Sequence, residues 1–424
     1  MLTYFLFLFY LISGTLLLHW ILQRNRFPFR LYHTSAAVLF KVLMGILYGY
    51  IFLHYYGGDD TWEYFSKSKV QTDILLTHPG EFIKEFLPGN SLQATHSFLQ
   101  ALYYYVHHFE FWFMVKFLAV LNLFSGKNYY IDLLLFDLLT IAGPLLLFKM
   151  LTDRFPEKSG MYYLLIFFIP SITFWCSGIR AESLILLCIS VAIYNGNEYA
   201  QRRKVKNAAG TGLAFLGFLF LRIQYLIMFL PAFIAFLYSV RKKQGGPVAF
   251  SRIYLALLLI FTISLFLPPA FQLSRPLIHA QQGFLVLKGN TRYGLDSLHA
   301  GPVSFIKVLP QATANSIFRP YPWEGKALLQ SLSSIESIFL IAAFLFFILS
   351  GQTKNKAGSA LLWLFLFYAI PQLIAIGYTV PFPGAIVRYR SIPFLFLFLF
   401  LFSANNILQQ KLTKACFSET LNKI

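Results

Sequence analysis

Apolar runs long enough to cross a bilayer recur along the whole chain, and nothing else in the sequence limits its fold so sharply. A hydrocarbon core takes roughly 17 to 25 consecutive apolar residues as a helix, because a helix satisfies its own backbone hydrogen bonds there. Runs that reach or approach this length lie at 2–22, 35–55, 129–150, 161–179, 181–194, 208–221, 223–240, 253–271, 328–350, 359–378 and 391–404. They predict an all-α polytopic membrane protein with about eleven transmembrane helices, a single integral membrane domain over 1–424. Composition agrees: 57% of residues are hydrophobic and only 12% charged, where a soluble domain carries about 25% charged. A water-soluble enzyme, a disordered chain and a collagen-like chain are all excluded. The first run has neither a basic segment before it nor a small-x-small cleavage site, so it is expected to stay in the membrane. Cys176, Cys188 and Cys416 are an odd trio without CxxC spacing, which predicts buried inert thiols and neither a disulfide framework nor a zinc site.

The 35 basic and 17 acidic residues give a net charge of +18, but their placement matters more than their sum. Arg24/Arg26/Arg30, Lys149/Arg154/Lys158, Arg202/Arg203/Lys204/Lys206, Arg241/Lys242/Lys243, Lys354/Lys356 and Lys411/Lys414 fall on one side of an eleven-helix chain. Short basic loops stay in the cytoplasm, so the N-terminus is expected outside and the tail at 405–424 inside. Membrane lipids are then the expected partners of this charge, and nucleic acid is not. The opposite face receives two long segments, 56–127 and 272–327, with tight turns at Arg180, Arg222 and Arg388. Within the first, 111–124 is short for a span and carries Lys116, so it is expected to be an interfacial helix in an amphipathic loop with 81–109. No internal repeat of the paired-transporter kind is visible.

The expected outer face carries the chemistry. Gly57-Gly58-Asp59-Asp60-Thr61-Trp62-Glu63-Tyr64 brings three carboxylates to the end of the second run, on a backbone freed by two glycines. Adjacent acids near low dielectric suit a general base or a pair of metal ligands; equally, one Asp can cap a helix starting at Thr61. Asp59, Asp60 and Glu63 are candidate ligands for a divalent cation such as Mg2+ or Mn2+, while the nine histidines show no ligand spacing. Trp175, Arg180 and Glu182 occupy a second hairpin, where a charge pair in an apolar turn is a functional candidate or a local pair. Arg222 interrupts one long apolar run. Arg319-Pro320-Tyr321-Pro322-Trp323-Glu324 and Arg388-Tyr389-Arg390 complete the set. Aromatic rings there suit sugars or interfacial anchoring, and guanidinium groups bind phosphate in a bidentate fork. Acid and arginines together read as a lipid-phosphate site with a base. A sugar on a polyprenyl phosphate would have its phosphate held by arginine and its acceptor hydroxyl deprotonated by Asp59 or Asp60, inverting the anomeric centre.

The Gly-Gly-Asp-Asp-x-x-x-Tyr stretch at 57–64 resembles the acidic motif of the GT-C superfamily of polyprenyl-phosphate-sugar-dependent glycosyltransferases. The Pro-Ser-x-x-Phe-Trp-x-Ser-Gly hairpin at 170–178, the Arg-Pro-x-Pro-Trp-Glu segment and the late Arg-Tyr-Arg resemble bacterial inner-membrane members that assemble cell-surface polysaccharides or glycolipids. The resemblance implies Asp59 or Asp60 as catalytic acid or base, interfacial helices in the first outer loop, and outer arginines on the lipid phosphate. It implies a polyprenyl-phosphate-linked sugar donor and a glycan or lipid acceptor. The chain departs from the pattern by an additional span before the acidic loop and by having no soluble C-terminal domain, which favours a lipid-linked or small acceptor. A polymerase or ligase of lipid-linked glycans, a lipid-linked substrate transporter or flippase, and a non-catalytic membrane scaffold are the competing readings.

Overall fold

The computed structural model describes residues 1–84, 98–243, 246–288, 291–324, 328–349 and 359–403. The expected tail at 405–424, the Lys354/Lys356 loop and residues 85–97 of the expected amphipathic loop lie outside the described residues. Among the described residues the chain is helical and contains no strand. It divides into two compact units, Met1–Tyr199 with Arg203–Leu226, and Ile227–Lys411 with Ala200–Arg202. Among the described residues seven helical stretches are long and apolar enough to cross a membrane: Leu2–Arg24, Leu31–His54, His108–Ser125, Tyr129–Arg154, Ile223–Arg241, Ala360–Thr379 and Pro383–Ser403.

The chain up to Leu226 contains α1 (Leu2–Arg24), α2 (Leu31–His54), α3 (Asp60–Thr77), α4 (Pro79–Lys84), α5 (Phe98–Ser125) and α6 (Tyr129–Thr140). It continues with α7 (Ala142–Arg154), α8 (Ser159–Phe167), α9 (Pro170–Trp175), α10 (Ala181–Arg202), α11 (Val205–Leu221) and the start of α12 (Ile223–Arg241). Helix α3 buries Thr61, Tyr64, Phe65, Ser68, Gln71 and Thr72, the spacing of one helical face. That face meets Met114, Val115 and Leu118 of α5 and Tyr129, Leu133 and Phe136 of α6 in one apolar cluster. Below it, the Asn122 amide donates to Ser68 and Thr72 at 2.9 and 3.0 Å.

Two expectations change here. The 111–124 segment belongs to the 28-residue α5, whose His108–Ser125 part is long and apolar enough to cross a membrane. Lys116 fits because its ammonium leaves the apolar face and donates to the Phe82 carbonyl at 2.6 Å. Residues 161–179, expected as one span, break between α8 and α9, because Pro170 lacks an N–H and holds Ile169 in extended backbone. The turn expected at Arg222 is present: α11 ends at Leu221, Arg222 is extended, and α12 begins at Ile223.

The second unit contains the rest of α12, then α13 (Val248–Ser264), α14 (Arg275–Val286), α15 (Pro302–Thr313), α16 (Leu328–Leu349), α17 (Ala360–Thr379) and α18 (Pro383–Ser403). Phe394, Phe396, Phe398 and Phe400 of α18 are all buried with the leucines between them, so this helix is surrounded by protein on every side. Helix α15 runs on into a wide π-type turn, Ala314–Phe318, which delivers the chain to Arg319. The buried Gln281 of α14 donates to the carbonyls of Asp296 and Tyr378 and accepts from the Leu298 amide at 2.6 Å. It thereby ties the loop that follows α14 to α17.

Candidate active site

Gly57 (φ +73°) and Gly58 (φ +109°) turn the chain sharply after α2 through backbone that side chains rarely adopt. Asp59 then caps α3, its Oδ1 accepting from the Thr61 amide at 3.2 Å. The cap and the catalytic reading of the sequence are compatible, because the other oxygen of Asp59 points elsewhere. Its Oδ2 accepts from the Tyr48 hydroxyl and from Arg180 Nη1 at 2.6 Å. Asp60 receives Arg180 Nη2 at 3.0 Å, and Glu182 lies 3.4 Å from Arg180 Nε. One guanidinium thus meets three carboxylates, and Nη1 also donates to the Tyr48 hydroxyl. Burial works against the Arg180 charge, but Tyr48, Glu182, Asp59 and Asp60 together outweigh it and keep the group protonated beyond its ordinary range.

The members of this cluster are not equally accessible. The Arg180 side chain is 3% exposed and that of Asp59 13%, whereas Asp60 is 53% exposed. Asp59 is therefore held inside as a fixture, and Asp60 is displayed at the edge. Arg180, expected on the lipid phosphate, faces carboxylates with all three guanidinium nitrogens. Its job here is to hold acids. Glu63 pairs instead with Lys67 at 3.0 Å on the exposed side of α3. With Glu63 turned away and Asp59 Oδ2 already taken, this donor set does not fit a divalent cation. Among the described residues no three His, Cys, Asp or Glu side chains are grouped to hold a metal ion.

Helix α2 supplies the floor. Lys41, Gly45, Tyr48 and Phe52 recur at helical spacing along one face. That face packs on the Cys176–Arg180 turn. A Cβ on Gly45 would come within 2.7 Å of the Ser177 carbonyl, and one on Gly178 within 2.8 Å of the Tyr48 ring. Tyr48 stacks on Phe52 at 4.5 Å and meets Trp175 edge-on at 5.8 Å, so Trp175 is a buried wall of the site and not an open ring. Two turns down from Tyr48, Lys41 pairs with Asp137 of α6 at 3.0 Å, both buried, and Lys41 also donates to the Cys176 carbonyl. Ser183 donates to the same carbonyl at 2.7 Å. These ties fix the turn that carries Arg180.

A second ion pair borders the corner. Arg222 meets Glu110 of α5 through both Nε and Nη2 at 3.0 Å, a bidentate fork. Tyr64 senses both pairs: burial first, then the charges of Glu110 and Asp60, push its hydroxyl well up, against Arg180 and Arg222. Sequence reading missed Tyr48, Glu110, Lys41 and Asp137. Lys41 and Asp137 had a signal, an ionisable group inside an apolar span. Tyr48 and Glu110 had none apart from their partners.

The remaining candidates belong to the second unit. Arg319 bonds Glu324 at 3.1 Å and lies over the Tyr293 and Tyr321 rings at 4.7 and 5.6 Å. Arg388 lies over the ring of Tyr389 at 5.4 Å. Arg390, expected to face an anion, is wholly buried. It donates to the carbonyls of Ser316 and Arg319 and to the hydroxyls of Ser333 and Ser337, so it braces the chain. Two residues apart on a helix, Arg388 and Arg390 point to different sides.

The described residues are all-helical and include seven long apolar helices, which points to a multi-pass membrane protein, here with a polar cluster of one guanidinium and three carboxylates in its first unit. No protein-family model, no curated protein and no solved structure matches the chain.

Proposed function

We propose that the chain is a membrane glycosyltransferase of the GT-C kind, which moves a sugar from a polyprenyl-phosphate donor to a hydroxyl of a glycan or lipid acceptor. The observation that carries this reading is the division of labour between two adjacent acids. Asp59 is locked by Arg180, Tyr48 and the Thr61 amide, while Asp60 remains half exposed beside it. A base needs a carboxylate that an acceptor hydroxyl can reach, and the exposure of Asp60 supplies that.

In the proposed reaction the acceptor oxygen attacks the anomeric carbon as its proton passes to Asp60. The bond from that carbon to the phosphate oxygen breaks, and the lipid phosphate leaves with the electron pair. Attack from the face opposite the leaving group inverts the centre. Arg222, 24% exposed, is the cation of this unit assigned to the departing phosphate, exchanging Glu110 for it. The side of the membrane that holds the Asp59–Asp60 corner is proposed to be the extracytoplasmic face of a bacterial inner membrane.

Lipid extracts test the reading. Cells lacking the protein should accumulate a polyprenyl-linked sugar, and the purified protein in proteoliposomes should consume it. A second reading has one observation in its favour: Lys41, Asp132 and Asp137 are buried in helices long enough to span, as a carrier coupled to protons or cations would require. Flux of a lipid-linked substrate without its consumption would select the carrier.

A further inference from the structure

Tyr321 and Trp323, in the second unit, form a stacked pair with ring centroids 5.0 Å apart and planes 17° from parallel. Trp323 is 81% exposed, so stacking on Tyr321 occupies one indole face and leaves the other open. Such a pair holds the indole in one orientation.

The platform is built from below. Arg390, fully buried, donates to the Arg319 carbonyl, to the Ser316 carbonyl at 3.3 Å and to Ser333 and Ser337 at 2.9 and 3.1 Å. The wide turn at Ala314–Phe318 gives it the Ser316 carbonyl to hold. Above this root, Glu324 accepts from the Tyr321 amide at 3.0 Å and binds Arg319 at 3.1 Å. Arg319 is steadied further by Asn315 at 3.0 Å. The open ring therefore sits on a fixed segment, with a charged donor and a charged acceptor in the same turn.

We infer that this turn is a carbohydrate subsite, in which the C–H face of a neutral hexose ring stacks on Trp323 and its hydroxyls bond Arg319 and Glu324. A sugar ring needs both parts, an apolar face and a hydroxyl-bearing rim, and a side-by-side donor and acceptor suits vicinal hydroxyls. A ring that merely rests in the bilayer interface needs neither a stacking partner nor an ion pair beside it. The assignment goes beyond the acidic corner and does not depend on the transfer reaction, since binding can be measured without turnover.

The test uses the full chain in nanodiscs, titrated with cellohexaose, maltohexaose and mannohexaose and read by saturation-transfer NMR and tryptophan fluorescence. At least one hexaose should bind, with saturation strongest on ring C–H protons. Trp323→Ala should weaken it about 10-fold or more, Trp323→Phe should retain part of it, and Glu324→Gln should weaken it by a smaller factor. Binding by none of the three, or equal binding by the wild type and Trp323→Ala, would overturn the inference. So would quenching of Trp323 by brominated lipid acyl chains that no hexaose relieves, which would place the ring in the bilayer.

Discussion

Arg180 and Arg390 are both buried arginines that the sequence presents in similar apolar settings, yet the hydrogen-bond partners the molecule gives them differ in kind. Arg180 faces Asp59, Asp60 and Glu182. Arg390 donates to neutral oxygens of Ser316, Arg319, Ser333 and Ser337, with the charge of Glu336 acting on it from nearby. The first cluster carries more negative than positive charge and needs its arginine to exist. The second is a brace of ordinary hydrogen bonds around a cation. A buried arginine is thus no sign of an anion site until its partners are known.

Removing each arginine separates the two. Arg180→Ala leaves carboxylates crowded in a poorly solvated corner and should cost about 3–5 kcal/mol, read as a fall in thermal midpoint in detergent. Adding Asp59→Asn and Glu182→Gln to it should restore much of that loss. Lys41→Met should fall in the same range, because Asp137 is left buried and unpaired, and Asp137→Asn in the same chain should recover it. Arg390→Met strands the neutral oxygens of Ser316, Arg319, Ser333 and Ser337 and should cost less, about 1–3 kcal/mol, with no recovery from neutralising Asp59 or Glu182. Equal losses for Arg180→Ala and Arg390→Met would break the comparison.

The smallest effect is one of pH. Burial, and then the charge of Glu324, push the Tyr293 hydroxyl from 10.0 up to about 12. The native state therefore favours the neutral hydroxyl more than the unfolded chain does. Its contribution is fully present below about pH 10 and is lost as pH rises through about 12. Tyr293→Phe should lose less stability than the wild type across that window in alkaline unfolding curves.

The all-helical membrane class and the turn at Arg222 were legible in the sequence because long apolar runs and a charge between them are local signals, whereas the break at Pro170 was missed inside a single apolar run. The glycine turn before Asp59 and a capping aspartate at 59 or 60 were legible for the same reason; in the structure the cap is Asp59. The Arg180–Glu182 pair is only two residues apart in the chain. What could not be read was direction. Arg180 reaches Asp59 across 121 positions, and no local rule says that it will hold acids and not phosphate. Lys116 argued for an interfacial helix because its sequence neighbours are apolar; only its reach to the Phe82 carbonyl shows how α5 carries a lysine in its apolar stretch. The Lys41–Gly45–Tyr48–Phe52 stripe is a helical period that gains meaning once the turn it supports is known.

The most direct measurement is transfer of sugar from a polyprenyl-phosphate donor by purified Asp60→Asn and Asp59→Asn chains in proteoliposomes, with thermal midpoints recorded alongside. Asp60→Asn should lose transfer by about 10²–10⁴-fold, the usual worth of a general base, with its midpoint nearly unchanged. Asp59→Asn should lower the midpoint as well as the rate. Full transfer by Asp60→Asn would contradict the account, because the displayed carboxylate would then have no part in the chemistry.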